Sequence, residues 1–111
     1  KEFASLKEKE TPTEIKSLKI TARLLTEEDI NQRQLPPDTT GVVIIEIASD
    51  SPVYNHLQVN DIIVELQKTK INNLNQLKDI LKKSFGKGEK TLLFATYNNQ
   101  NVRRYLGIRL N

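Results

Sequence analysis

The 111-residue sequence contains no cysteine, methionine or tryptophan. Without cysteine, the chain cannot form disulfides, bind zinc through thiolates or use a thiol nucleophile. No apolar run approaches the roughly 18 residues that a membrane-spanning helix needs. Hydrophobic residues make up 37% of the chain and charged residues 28%, which suits a globular domain. We therefore expect one domain with its own core and no direct insertion into a membrane.

The first residues lack both an initiator methionine and a signal-peptide pattern. We therefore expect the chain to be a segment of a longer protein. Residues 1–13 are polar and balanced in charge, and they end just after Pro12, which predicts a linker or N-terminal extension. The folded domain is expected to cover residues 14–111.

Charge is distributed unevenly along the chain. Residues 27–66 carry eight acidic residues and one arginine, whereas residues 67–111 carry ten basic and two acidic residues. One interpretation is a basic surface for an anionic partner, and the other is a solvated basic face on the last helix and strands. Aromatic residues make up only 5% of the chain, and Arg103, Arg104 and Tyr105 form its one basic–aromatic cluster. No nucleic-acid partner is expected.

Apolar periodicity predicts a chain dominated by strands. A half-buried strand is indicated by the alternation of Leu18, Ile20, Ala22 and Leu24 with polar residues. Thr26, followed by three acidic residues, predicts a short helix that stops before Pro36. Further strands are predicted at residues 42–48, 62–67, 92–97 and 102–110. The run from Val42 to Ile45 predicts burial on both faces of its strand.

One longer helix is predicted to begin after Asn73, an N-cap with Gln76 three positions later. Leu74, Leu77 and Leu81 then fall on one face, and Phe85 and Gly86 are expected to end the helix with a glycine C-cap. The predicted fold class is α+β and mostly β. It is a small, partly open β-barrel or sandwich of five or six strands, with one main helix and one or two short helices.

No arrangement of residues predicts catalysis. A hydrolytic triad needs a nucleophile, a base and an orienting acid, but His56 is the single histidine and no Gly-x-Ser-x-Gly motif occurs. The segment GKGEKT, residues 86–91, lacks the residue order and the strand-to-helix context of a phosphate-binding loop. The acidic residues 27–29 suit the first turn of a helix better than a metal site. We expect no catalytic residue, no metal and no cofactor, and therefore a binding module.

The segment GVVIIEIASDSPVYNHLQVNDIIVELQKTKINNLNQLKDIL resembles the centre of a bacterial PDZ domain. The positions that match the family pattern are Gly41, Ser51, Pro52, Leu57, Asp61, Ile63, Ile71, Leu77 and Leu81. The upstream segment LLTEEDINQRQLPPDTTGVV and the closing segment RRYLGIRLN resemble the second PDZ domain of HtrA/Do-type serine proteases. The resemblance covers about residues 14–111.

The resemblance implies a non-catalytic module of a DegP-like serine protease in the bacterial periplasm or cell envelope. Its partners would be unfolded or C-terminal polypeptide, together with the protease domain and the neighbouring PDZ domain. Two alternatives are an assembly module of the protease oligomer and a PDZ domain of another envelope protease.

The family usually has glycine at the positions of His56 and Asn60. Histidine and asparagine enter the left-handed region of backbone conformation more readily than most residues. We therefore expect left-handed backbone at both positions. Asp61 is expected to accept hydrogen bonds from backbone amides of the same turn.

PDZ domains bind a peptide as an added strand beside the main helix. In the bacterial family the terminal carboxylate is received by a loop of the form x-Φ-Gly-Φ, which matches Ser17-Leu18-Lys19-Ile20, with Lys19 in place of glycine. The loop amides are expected to point at the carboxylate, and Leu18 and Ile20 are expected to line the pocket. The resemblance implies that the peptide-binding residues are Ser17, Leu18, Lys19, Ile20, Thr21, Ala22, Gln76, Ile80 and Lys83.

Overall fold

The computed structural model describes residues 12–109. Within this range it has seven strands and two helices: β1 (Thr13–Ile15), β2 (Ile20–Leu24), α1 (Glu27–Arg33), β3 (Val42–Ile47), β4 (Ile62–Leu66), β5 (Thr69–Lys70), α2 (Leu74–Gly86), β6 (Thr91–Tyr97) and β7 (Arg103–Arg109). The predicted linker lies almost wholly outside the described residues, although β1 begins at Thr13. Neither helix is long and apolar enough to cross a membrane.

The strands form one antiparallel sheet in the order β1-β2-β3-β4-β6-β7, and β5 pairs with β4. This confirms the predicted α+β, mostly β class. The two shortest strands, β1 and β5, were not predicted. The strand predicted to start at Leu18 begins instead at Ile20, because residues 16–19 form a turn.

Each face of the sheet carries a hydrophobic cluster. The larger cluster packs α2 against the sheet through Leu77 and Leu81. The smaller one lies on the other face and includes Leu25 and Leu35, which flank α1. In β3, Val42 belongs to the first cluster and Val43 to the second. This confirms the predicted burial on both faces of that strand.

The start of α1 is confirmed in detail. Thr26 is the N-cap and forms a reciprocal capping box with Asp29. Arg23 donates two hydrogen bonds to the Asp29 carboxylate, at 2.7 and 3.0 Å. Burial alone would raise the pKa of Asp29, but the hydrogen bonds from Arg23 and Thr26 outweigh it and lower the pKa to about 2. The helix ends at Arg33, and the left-handed Gln34 leads the chain toward Pro36.

The predicted cap at the start of α2 is present, but the predicted end is wrong. Asn73 Oδ1 accepts from the Gln76 amide at 2.8 Å, while the Gln76 side chain accepts from the amide of Asn72. Gly86 lies inside the helix rather than capping it. After the helix, the glycine with a positive φ is Gly88, at 76°, and its amide donates to the carbonyl of Phe85. The helix therefore runs one residue further than expected, to Gly86, and its C-cap is Lys87.

The corner before β4 agrees with the sequence at Asn60 and differs at His56. Asn60 has a φ of 80°, as expected, and its amide donates to the Ile44 carbonyl at 2.7 Å. His56 is not left-handed, and its amide donates to the Val53 carbonyl at 3.0 Å. Asp61 Oδ2 accepts from the Gln58 amide at 3.0 Å, which confirms its predicted role in the turn.

Substitutions at Asn60 should separate backbone conformation from side-chain chemistry. Asn60→Gly should leave the free energy of unfolding unchanged or raise it, because glycine enters the left-handed region freely. Asn60→Val should lower it by about 1–3 kcal/mol, because a β-branched residue is strained there. His56→Val is the matched control and should have little effect. Chemical denaturation measures all three, and equal stability of the valine and glycine variants at position 60 would contradict the assignment.

Candidate functional site

The edge of β2 that was predicted to receive a peptide is already paired. β2 bonds to β3 on one side and to β1 on the other, with Ile15 opposite Ile20 and Glu14 opposite Thr21. Ile20 and Ala22 are buried, and Thr21 is half-buried. β1 therefore occupies the edge of β2 to which, by the resemblance, a peptide would add.

The turn between β1 and β2 uses the amides that were predicted to receive a carboxylate. The Leu18 amide donates to the Ile15 carbonyl at 3.1 Å, and the Lys19 amide donates to the Lys16 carbonyl at 3.2 Å. Two of the predicted carboxylate donors are thus committed to the hairpin. The exposed Ser17 lies at the tip of the same turn.

Lys19, at the position of the glycine in the family motif, has a backbone conformation that glycine adopts easily. Its φ is 55°, in the left-handed region. Its carbonyl accepts from the Ala48 amide at 3.0 Å, and its ammonium pairs with the exposed Asp50 at 2.8 Å. The hydroxyl of Ser51 donates to the Leu18 carbonyl at 2.5 Å. The loop is therefore anchored to the segment after β3, and the lysine side chain points toward that segment.

Two grooves run along opposite sides of α2, each with a volume of about 470 Å³. The β1–α2 groove is lined by Glu14, Ile15, Lys16, Ser17, Lys78, Leu81, Lys82 and Phe85. The β5–α2 groove is lined by Gln67, Thr69, Gln76, Asp79, Ile80, Lys83, Ser84, Lys87 and Glu89. The structure therefore does not bring the two predicted walls of the site together. Ser17 lines one groove, while Gln76, Ile80 and Lys83 line the other.

The helical phase of α2 explains this result. Successive residues of a helix turn by about 100°, so the buried stripe through Leu77 and Leu81 has two shoulders. Ile80 lies on the shoulder that faces β5, whereas Lys78, Lys82 and Phe85 lie on the shoulder that faces β1. Ile80 is the more prominent candidate in the sequence because it is apolar. Phe85, four residues after Leu81, was the available signal for the other shoulder.

The β1–α2 groove combines an apolar floor with a basic rim. Ile15 is only 2% exposed and belongs to the same cluster as Leu18, Ile20 and Leu81. Phe85, near the C-terminal end of α2, is 37% exposed. Three lysines and a single glutamate line the groove, so its electrostatic potential favours an acidic or carboxylate-bearing chain.

Comparisons with known proteins agree with this architecture. The PDZ domain family model matches residues 12–103. The PDZ domain of EpsC from Vibrio cholerae superposes with a TM-score of 0.53 and 12% identity, covering 84% of this chain and 95% of that one. No curated protein sequence matches the chain. PDZ domains are non-catalytic modules that bind peptides, so this chain is not itself an enzyme. The chain belongs to the PDZ domain family.

Proposed function

We propose that this chain is the peptide-capturing PDZ module of an HtrA/Do-type serine protease in the bacterial periplasm or cell envelope. The protease assignment is supported by the sequence around α1, where Leu25-Thr26-Glu27-Glu28 fits the L-T-x-E pattern and Leu35-Pro36 follows, as in the second PDZ domain of that family. In this role the module delivers unfolded or C-terminal polypeptide to a protease domain. It regulates that domain through contacts with it and with a neighbouring PDZ domain.

The β1–α2 groove is the observation that carries the peptide-binding part of the proposal. Its volume lies within the range of roughly 300–1,000 Å³ that is usual for ligand sites. A strand, β1, forms one wall and a helix, α2, forms the other, which is the arrangement in which PDZ domains bind an extended peptide. Leu81 and Phe85 on the opposite wall offer contacts to its apolar side chains, and Lys78 and Lys82 offer contacts to its acidic ones.

Titration of the isotope-labelled domain with a library of C-terminal peptides tests this function directly. Peptides that bind should shift the amide resonances of residues 15–22 and of Lys78, Lys82 and Phe85. The amides of Thr69 and Ile80, in the β5–α2 groove, should stay unchanged. A library that shifts no amide in either groove would remove the peptide-capturing function.

Two variants of α2 identify which groove binds the peptide. Phe85→Glu should weaken binding about 10- to 100-fold, because it removes an apolar contact and places a carboxylate beside the peptide's own. Ile80→Glu is the control on the opposite shoulder and should bind like the parent. Peptide affinity is measured by fluorescence polarisation, with circular dichroism to show that both variants fold. Loss of binding in Ile80→Glu alone would place the peptide in the β5–α2 groove.

A second candidate function is assembly of a protease oligomer, and the outer face of the sheet favours it. Leu93 is 44% exposed and Tyr105 is 72% exposed, and both line a shallow apolar depression on β6 and β7. β7 is also an edge strand of the sheet. Sedimentation of the domain measures this directly: assembly through this face requires a mass that rises with concentration, and it should be unaffected by Phe85→Glu.

A further inference from the structure

We propose that β1 is an intramolecular ligand of this PDZ domain and that a partner peptide binds by displacing it. The inference rests on the proposed peptide-binding function and specifies how the same site is regulated. Three features of β1 coincide with those of a captured C-terminal peptide: its direction, its buried side chain and its terminal carbonyl. A strand-adding ligand would need all three.

The direction of β1 is that of a peptide whose C-terminal end reaches the carboxylate loop. β1 runs antiparallel to β2, and its last residue, Ile15, lies opposite Ile20, the first residue of β2. The end of β1 therefore lies against the loop formed by residues 17–20.

The side chain and carbonyl of Ile15 take the positions of a ligand's last residue. The side chain is 2% exposed and packs in one cluster with Leu18, Ile20, Leu77 and Leu81, so it fills the pocket that the sequence assigned to a ligand. The carbonyl accepts the Leu18 amide at 3.1 Å. That amide is one of the donors predicted to receive a carboxylate.

The pairing of β1 with the sheet is short. Among residues 12–109, β1 pairs with one strand, β2, over three residues, whereas β6 and β7 pair over seven. The loop also has anchors that do not involve β1, because the carbonyls of Leu18 and Lys19 accept from Ser51 and Ala48. Release of β1 would therefore expose a preformed pocket and free the amides of Leu18 and Lys19.

The residues of β1 indicate which peptides compete with it. The segment Thr13-Glu14-Ile15 is extended, ends in a branched aliphatic residue and places an acid on the groove that Lys78 and Lys82 line. The expected ligand class is an extended peptide with a C-terminal branched aliphatic residue and an acidic residue before it. Its apparent affinity is reduced by the fraction of molecules in which β1 is released.

A reversible disulfide between β1 and β2 tests the displacement. Glu14 and Thr21 lie opposite each other and neither is buried, and the chain has no other cysteine. Opposed residues of antiparallel strands lie about 4.5–5.5 Å apart at Cα, which suits a disulfide. The variant Glu14→Cys/Thr21→Cys is therefore locked when oxidised and released when reduced. Thr91→Cys/Arg109→Cys, across β6 and β7, is the matched control.

The probe is a fluorescein-labelled peptide of sequence KETPTEI with a free carboxylate, which copies residues 9–15. The reduced variant should bind it at least about tenfold more tightly than the oxidised variant, while the control pair should show no redox effect. Equal affinity in the two redox states would mean that peptides bind with β1 in place, which overturns the proposal and leaves peptide binding intact. No binding to the reduced variant, while library peptides still shift the groove amides, also overturns it. A library without any binding removes the proposed function as well.

Amide hydrogen exchange on the parent chain gives a readout that needs no peptide. The Leu18 amide, bonded to the Ile15 carbonyl, should exchange at least about 100-fold faster than the Ile44 amide, bonded to the Asp61 carbonyl. Exchange of both amides at one rate would show that β1 leaves only when the whole domain unfolds. That result would overturn the proposal whatever the peptide library shows.

Discussion

Leu77→Ala is expected to lower the free energy of unfolding by about 2–5 kcal/mol. Leu77 is fully buried in the larger hydrophobic cluster, where it packs with Ile15 and Ile20 beneath α2. Truncation removes apolar contacts and leaves a cavity, because the helix is held at both ends and cannot collapse onto the gap. Urea denaturation measures the change, and a midpoint equal to that of the parent would contradict the burial of Leu77.

Leu74→Ala is the matched control for this prediction. Leu74 lies on the same face of α2, one turn earlier, but it is only partly buried. Its truncation removes less buried apolar area and should cost about 1 kcal/mol. An equal loss in the two variants would contradict burial as the cause, because alanine is a better helix former than leucine and helix propensity alone would not lower the stability of either variant.

Long periodic elements could be predicted from the sequence because one buried face dictates their pattern. The stripe through Leu74, Leu77 and Leu81 and the alternation around Ile20 both depend on that constraint. β1 and β5 could not be predicted, because they have only three and two residues, which are too few to show a period. Their strand character comes from the neighbours with which they pair, and this information lies outside their own residues.

The geometry of the site could be predicted only in part, because it depends on tertiary contacts that a sequence pattern does not contain. Ser17, in the loop that the resemblance singled out, lines a groove together with Lys78, Leu81, Lys82 and Phe85 of α2. Helical periodicity fixes the buried stripe of α2 but does not say which of its shoulders faces β2. Nor could a sequence motif show that the amides of Leu18 and Lys19 are already bonded within a hairpin.

Residues in the left-handed backbone region show a similar limit to prediction from residue type. Asparagine at position 60 adopts the expected conformation, and histidine at position 56 does not. Tolerance of positive φ permits that conformation without requiring it. Conversely, Lys19 takes a positive φ that its residue type does not favour, because the hairpin and its anchors to Ala48 and Ser51 hold it there.

The proposed occupation of the peptide site by β1 would affect which polypeptides an HtrA/Do-type module selects. A tethered strand competes at an effective concentration on the order of millimolar, so isolated peptides must bind well to displace it. Unfolded polypeptide that contacts several modules at once has the same advantage of proximity. The proposed device would therefore favour multivalent unfolded chains over single peptide ends.

Gly41, directly before β3, occupies the most restrictive glycine position in the described structure. Its φ is 153°, outside the range that other residues adopt freely, and its carbonyl accepts from the Leu25 amide at 3.0 Å. A Cβ at this position would lie 2.4 Å from the backbone oxygen of Ile63 in β4. The clash is with backbone rather than with a flexible side chain, so the strand pairing itself would have to shift.

Gly41→Ala should therefore lower the free energy of unfolding by more than about 3 kcal/mol, through combined strain and displacement of β4. Gly88→Ala separates these two causes. Gly88 also has a positive φ, of 76°, but no atom lies within 4 Å of its would-be Cβ. Its substitution should cost only about 1–2 kcal/mol, the strain of a left-handed alanine. Denaturation of both variants gives the difference, and equal losses would show that the contact between residue 41 and Ile63 does not limit stability.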